Sequence, residues 1–203
     1  MNDLERDLAA YYDQEAPLRA QRALQRERVR RREEFATLLE DEHRGELLEV
    51  GCGPGVDALA FQDAGVHVTG VDLSAEHVGI CRDAGLEAHV GSVLELPFTD
   101  DSFDAGWTMS TLLHVPDARF DDAMAELCRV LTPGAPLAIG LWAGDDAEII
   151  STEDRLDPPR FFSLRSTERL RSLLCAHGRV ERMDTWTDPT SDHTYQWCLL
   201  RTP

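Results

Sequence analysis

The chain contains no lysine; its twenty basic residues are all arginine. A Schiff-base or lysine-base mechanism is therefore excluded. Positive charge is scarce overall, and the net charge of -18 argues against a nucleic-acid partner, because a protein must neutralise phosphates to bind them. The same deficit disfavours adhesion to an anionic membrane, and no uncharged apolar run approaches the ~20 residues that span a bilayer. The five cysteines (52, 81, 128, 175, 198) form no C-x-x-C pair and no zinc-like spacing, so no metal is expected. They read as reduced core residues of a cytoplasmic protein, and the start, Met1 to Arg6, lacks the basic-then-apolar pattern of a signal peptide. There is no internal repeat and no low-complexity segment.

What is present centres on Leu47-Leu48-Glu49-Val50-Gly51-Cys52-Gly53-Pro54-Gly55 and the helix-forming residues after it. A short apolar run, a glycine-rich turn and a helix in succession mark a buried parallel strand feeding a helix. Glycines admit a ligand close to the backbone, and the free N–H groups at the helix start suit a carboxylate or phosphate. The dinucleotide fingerprint G-x-G-x-x-G would need glycine at 56, where the chain has Val56. The next apolar run, Val66 to Val71, ends in Asp72, and an acid at a strand's carboxyl end can take both hydroxyls of a ribose.

At 203 residues the chain suits a single domain. Residues 3–16 read as a short helix ending before Pro17, and Leu18 to about His43 as one long helix. Seven arginines between Arg19 and Arg32 stand against a single Glu27. They read as a solvated face with pairs Glu27–Arg31 and Arg30–Glu34, or, more sharply, as a guide for an anionic substrate. Strands at 47–50, 66–71, 86–90, 103–109 and 136–142 alternate with helices at 56–64, 75–84 and 118–130. Such alternation implies a parallel sheet covered by helices on both faces, with ligands bound beyond the strands' carboxyl ends. Residues 143–163 show no periodicity, and a helix at 166–177 and strands near 179–187 and 193–200 finish the chain.

The run E-x-G-x-G-x-G from Glu49 to Gly55, with Asp72 at the next strand end, resembles motif I and the ribose acid of class I S-adenosylmethionine-dependent methyltransferases. Leu96-Pro97-Phe98, Asp101-Ser102-Phe103-Asp104 and the Leu131-Thr132-Pro133-Gly134 turn are similar to the small-molecule branch of that family. The resemblance implies an α/β fold: a Rossmann-like, doubly wound, seven-stranded sheet, mostly parallel, ordered 3-2-1-4-5-7-6 with an antiparallel C-terminal hairpin. It implies S-adenosyl-L-methionine as cofactor, with Glu49, Gly51 and Gly53 around its methionine part, Asp72 on the ribose and Leu73 on the adenine face. Cys52, Gly55, Val93 and Met109 complete the expected cofactor site. Where the family often has an acid after the third strand, this chain offers Ser92, an acceptor without charge.

The expected activity is methyl transfer to oxygen or nitrogen of a small-molecule acceptor. Acceptor-site candidates are Tyr11, Tyr12, Trp107, Ser110, His114, Trp142, Arg160, Phe161, Phe162, Arg165 and Tyr195, and His114 is the candidate base. For Arg160 and Arg165 the alternative is ordinary pairing with Asp154 or Asp157. Residues 1–46 are expected to be a helical cap and 47–203 the methyltransferase domain. Two other readings share the fold: a nicotinamide-dependent oxidoreductase, and a non-catalytic domain that binds a nucleoside cofactor.

Overall fold

The computed structural model describes residues 1–22, 24–187 and 193–203. Two helices, α1 (Asp3–Arg19) and α2 (Arg26–Asp41), lead into β1 (Glu46–Val50), α3 (Val56–Asp63), β2 (His67–Asp72), α4 (Ala75–Asp83) and β3 (Glu87–Val90). There follow β4 (Ala105–Met109), a 3₁₀ turn at Leu112–His114, α5 (Asp117–Val130), β5 (Pro136–Trp142), β6 (Ala147–Ile150) and β7 (Phe161–Leu164). The described chain finishes with α6 (Thr167–Leu174), β8 (Arg179–Thr187) and β9 (Thr194–Arg201). The main sheet has the order β3-β2-β1-β4-β5-β9-β8, parallel through β5 and antiparallel at the last two strands. The chain turns from one side of β1 to the other, so the crevice that such a switch creates lies past the carboxyl ends of β1 and β4.

Alternate strand residues supply the two faces of this sheet. Leu48, Leu137 and Ile139 join Phe120, Met124 and Leu127 of α5 and Leu170 and Leu174 of α6 on one side. Leu47, Trp107 and Ala138 join Phe35 and Leu39 of α2 and Phe61 of α3 on the other.

Three expectations need correction. Helix α1 passes through Pro17 to Arg19, because a proline in the last turn removes only one hydrogen bond and Ala20 N–H still closes on Ala16 O at 3.1 Å. The expected long helix from Leu18 is instead broken before Arg26, with Gln25 extended. The buried residues of α2 are Arg31, Phe35 and Leu39, spaced by four, so the apolar stripe that anchors a helix does not reach back to Leu18. Finally, the aperiodic stretch 143–163 contributes β6, which pairs with β7 as a separate antiparallel hairpin whose four β6 residues are all exposed.

Candidate active site

The glycine turn is built by two peptide contacts. Gly51 N–H and Cys52 N–H both donate to Val71 O, at 2.7 and 3.1 Å, which ties the turn to the end of β2. Gly51 (φ 74°) has no room for a side chain, since an added Cβ would lie 1.8 Å from Thr111 Oγ1. Gly53 (φ 53°) is the opposite case: a Cβ there meets nothing within 4 Å, because it faces an open cleft. Gly55 (φ 80°) looks away from that cleft, toward Leu86 and Cys81. Cys52 is likewise turned inward, its sulfur 3.9 Å from that of Cys81.

Asp72 closes the turn from the side. Its Oδ2 accepts from Gly53 N–H at 2.8 Å, and its Oδ1 accepts from Ser74 N–H at 2.9 Å, just before α4. The carboxylate still lines the cleft, with Leu73, Val93, Ser92 and Met109 along the same wall. Glu49 lies fully buried on β1, and its Oε2 has no partner among the described residues. Burial, then the neighbouring Asp57 carboxylate, hold the Glu49 carboxyl well above the ordinary carboxylate range.

Helix α1 forms the opposite wall, from Asn2 to Arg19. Asp13 Oδ1 accepts from Ser74 Oγ–H at 2.6 Å and from Glu76 N–H at 3.2 Å, adding a carboxylate to the positive end of α4. Tyr12 reaches across to His114. The imidazole Nδ1–H donates to Phe161 O at 2.7 Å, which leaves Nε2 as an acceptor, and Tyr12 O–H donates to it at 2.6 Å. Burial, with Arg160 and Arg19 adding to it, pulls the His114 pKa down to about 3 against the pull of the Phe161 carbonyl. The imidazole is neutral near pH 7.

A second cavity of about 440 Å³ adjoins the first and shares Tyr12, Arg19, Ser110 and His114 with it. Its aromatic walls are Tyr11, Tyr12, Trp142 and Phe162, the last two stacked at 5.7 Å. Arg160 is present there, its Nε 3.0 Å from Asp154 Oδ2 and its guanidinium 4.5 Å from the centre of the Tyr11 ring. A smaller recess of about 170 Å³ opens on the other side of Arg19, lined by Tyr195, Trp142 and Met109. Tyr195 O–H lies 3.1 Å from Ser110 Oγ.

Three acceptor-site candidates have side chains outside these cavities. Arg165 is buried, held by Asp117 Oδ1 at 2.8 Å, Leu112 O at 3.0 Å and Val115 O at 2.7 Å, so it ties β7 to the segment carrying His114. Trp107 is packed between Phe35 and Phe61, and Phe161 enters only through its carbonyl. Sequence reasoning missed Glu5 and Thr111, and it missed Asp57, which anchors α2 beneath the turn.

Residues 47–134 match the family described as methyltransferase domain. That segment, under half of the chain, carries the class I S-adenosylmethionine-dependent methyltransferase domain that the sequence leads one to expect. The methyltransferase GfsG of Streptomyces halstedii is 38% identical over 102 residues, covering 46% of this chain and 36% of its own. Norajmaline N-methyltransferase of Rauvolfia serpentina is 30% identical over 180 residues, covering 83% of this chain and 61% of its own. The chain thus spans about a third of the first relative and under two thirds of the second. The 1,6-didemethyltoxoflavin N1-methyltransferase of Burkholderia thailandensis, solved with S-adenosylhomocysteine, shares the fold with a TM-score of 0.74 at 19% identity, over 98% of this chain and 87% of that one. The residues present fit S-adenosyl-L-methionine, the cofactor expected from the sequence. Gly53 leaves open space where a Cβ would stand, Asp72 faces the same cleft, and Glu49 keeps an unpartnered oxygen behind the turn. These relatives give no support to an oxidoreductase or a non-catalytic domain. Among the described residues no helix is long and apolar enough to cross a membrane.

Proposed function

We propose that this chain moves a methyl group from S-adenosyl-L-methionine to an oxygen or nitrogen of a small molecule seated in the aromatic cavity. One observation carries the reading: the cofactor cleft and the 440 Å³ cavity meet at Tyr12, Ser110 and His114. An acceptor stacked on Trp142 and Phe162 would lie beside the end of the cleft that Met109 lines. Asp72 would hold the ribose hydroxyls, Gly51 and Gly53 would admit the methionine part, and Leu73 and Val93 would face the adenine.

The cofactor supplies an already activated methyl group, so the protein's share is placement and exclusion of water. His114 fits that share as a neutral acceptor for Tyr12 rather than as a base. Its one lone-pair nitrogen is occupied, and a pKa near 3 gives it little hold on a proton at pH 7. We further propose that residues 1–46 are the cap, with α1 as the covering element and α2 as its anchor on the sheet. The absence of lysine and the negative net charge favour a small acceptor over a nucleic acid, and the free thiols suit a reducing, cytoplasmic setting.

Calorimetry with S-adenosylhomocysteine and with NAD tests the reading. Binding of the first and none of the second is expected. Tight NAD binding without a response to S-adenosylhomocysteine would overturn it.

A further inference from the structure

The end of the cleft remote from the aromatic cavity is closed by a carboxylate that arrives from the far side. On the sheet side this end is made by Leu73, Gly91, Ser92 and Val93; on the other side by Leu4, Glu5 and Leu8 of α1. Leucines above and below a slot suit a flat heterocycle. The slot's polar side chains are Asn2, Ser92 and Glu5, and Glu5 is only 8% exposed.

Ser92 and Glu5 are arranged in series. Ser92 Oγ–H donates to Glu5 Oε1, and Ser92 Oγ accepts from Leu94 N–H at 3.0 Å. Glu5 Oε2 accepts from Asn2 N–H at 2.8 Å, while Asn2 Oδ1 accepts from Glu5 N–H at 3.0 Å, a capping box at the start of α1. A carboxylate has about four acceptor positions, so two remain on Glu5, and an ionised carboxylate has no donor to offer. Whatever meets it along the slot must bring an N–H or O–H. With the ribose on Asp72, this slot would take the base, and Glu5 stands at its edge.

We propose that Glu5 is the acceptor for the adenine amino group, with Ser92 as the positioning residue that aims it. The proposal rests on the cofactor reading above and names the residue that makes the nucleoside site selective for adenine. A serine after β3 is then not a weaker substitute for an acid: it is the docking point for an acid carried on α1. It also means that the base is read only when α1 is in place.

The test uses the full chain and two probes, S-adenosylhomocysteine and S-inosylhomocysteine, in which a keto oxygen replaces the amine. The parent protein should prefer the adenosyl compound by about 10-fold or more, the scale of one hydrogen bond to a charged acceptor. Glu5→Gln keeps the capping box, since glutamine serves at that position too, and supplies an amide that can donate to the keto oxygen. Its preference should fall to within about 3-fold while the thermal midpoint of the free protein stays put. Ser92→Ala provides a second measurement: Glu5 remains but is no longer aimed, and the preference should shrink there too. Discrimination unchanged in both variants, with S-adenosylhomocysteine still bound, overturns this inference alone. A parent protein that binds neither compound overturns the cofactor reading and this inference with it.

Discussion

Replacing Asp57 with alanine should cost about 3 kcal/mol of stability, and the figure can be built from its surroundings. Asp57 is buried at the first turn of α3 and takes four hydrogen bonds: 2.9 and 2.6 Å from Nε and Nη2 of Arg28, 3.0 Å from Nη1 of Arg32 and 3.1 Å from the Trp107 indole. Breaking a buried ion pair by removing one partner costs ~3–5 kcal/mol, because the other charge is left without compensation. The lower end applies here, since the side chains of Arg28 and Arg32 keep 21% and 16% exposure and can turn partly to water. Glu49 limits the loss as well. Its carboxyl is pushed up first by burial and then by Asp57, while Arg28 favours its ionised form, so without Asp57 it can take over part of the pairing. A double variant with Glu49→Gln should therefore be less stable than Asp57→Ala alone. At ~2–4 °C per kcal/mol for a chain of this size, Asp57→Ala should lower the thermal midpoint by about 6–12 °C. Arg30→Ala is the control, because its partners Glu27 and Glu34 are surface groups and such pairs contribute ~0–1 kcal/mol. A midpoint drop no larger than the control's would refute the claim that Asp57 fastens α2 to the sheet.

Asp72→Ala should weaken S-adenosylhomocysteine by about 1–3 kcal/mol in calorimetry. It should also lower the thermal midpoint of the free protein, since Asp72 holds Gly53 N–H and Ser74 N–H; unchanged ligand binding would place the ribose elsewhere. His114→Asn should leave turnover within a few-fold once an acceptor is in hand, and a loss beyond ~100-fold with cofactor binding intact would restore a base. The same variant has a pH signature. The native pKa of about 3 lies below the ordinary 6.5, so between those values the unfolded chain binds a proton that the native chain refuses. Stability is fully present above pH 6.5 and falls as the pH drops toward 3; denaturant midpoints at pH 7, 5 and 4 should show a shallower fall for His114→Asn, and parallel curves would contradict the burial of a neutral imidazole.

The glycine turn and Asp72 were legible in the sequence because their chemistry is local: a few adjacent residues both shape the backbone and line the cleft. The strand order was legible only through the family resemblance, since alternation implies a parallel sheet without saying which strands are neighbours. Glu5 and Asp13 were not legible. Each looks like an ordinary acid on an exposed helix, and their partners Ser92 and Ser74 lie 87 and 61 positions away. Asp57 looks like a routine helix-start acid, and only the packing of α2 shows that two arginines and an indole converge on it. Both expected pairs form, Arg31 on Glu27 at 3.0 Å and Arg30 on Glu34 at 3.3 Å, but of these two arginines only Arg30 stands on a solvated face: Arg31 is buried, and Arg28 and Arg32 turn inward to Asp57. The hairpin of β6 and β7 escaped notice because an all-exposed strand carries no two-residue pattern.

Helix α1 contributes side chains to both cavities, Glu5 and Leu8 to one, Tyr11 and Glu15 to the other, and Tyr12 and Arg19 to each. A wall common to two cavities makes their occupants thermodynamically dependent on one another. Any free energy that cofactor binding contributes to seating α1 is also available to the acceptor, whose enclosure needs the same helix. Linkage then works in both directions by the same factor: if S-adenosylhomocysteine tightens the acceptor fivefold, the acceptor tightens S-adenosylhomocysteine fivefold. The product pair would be subject to the same rule, so each departing molecule would loosen the other's hold.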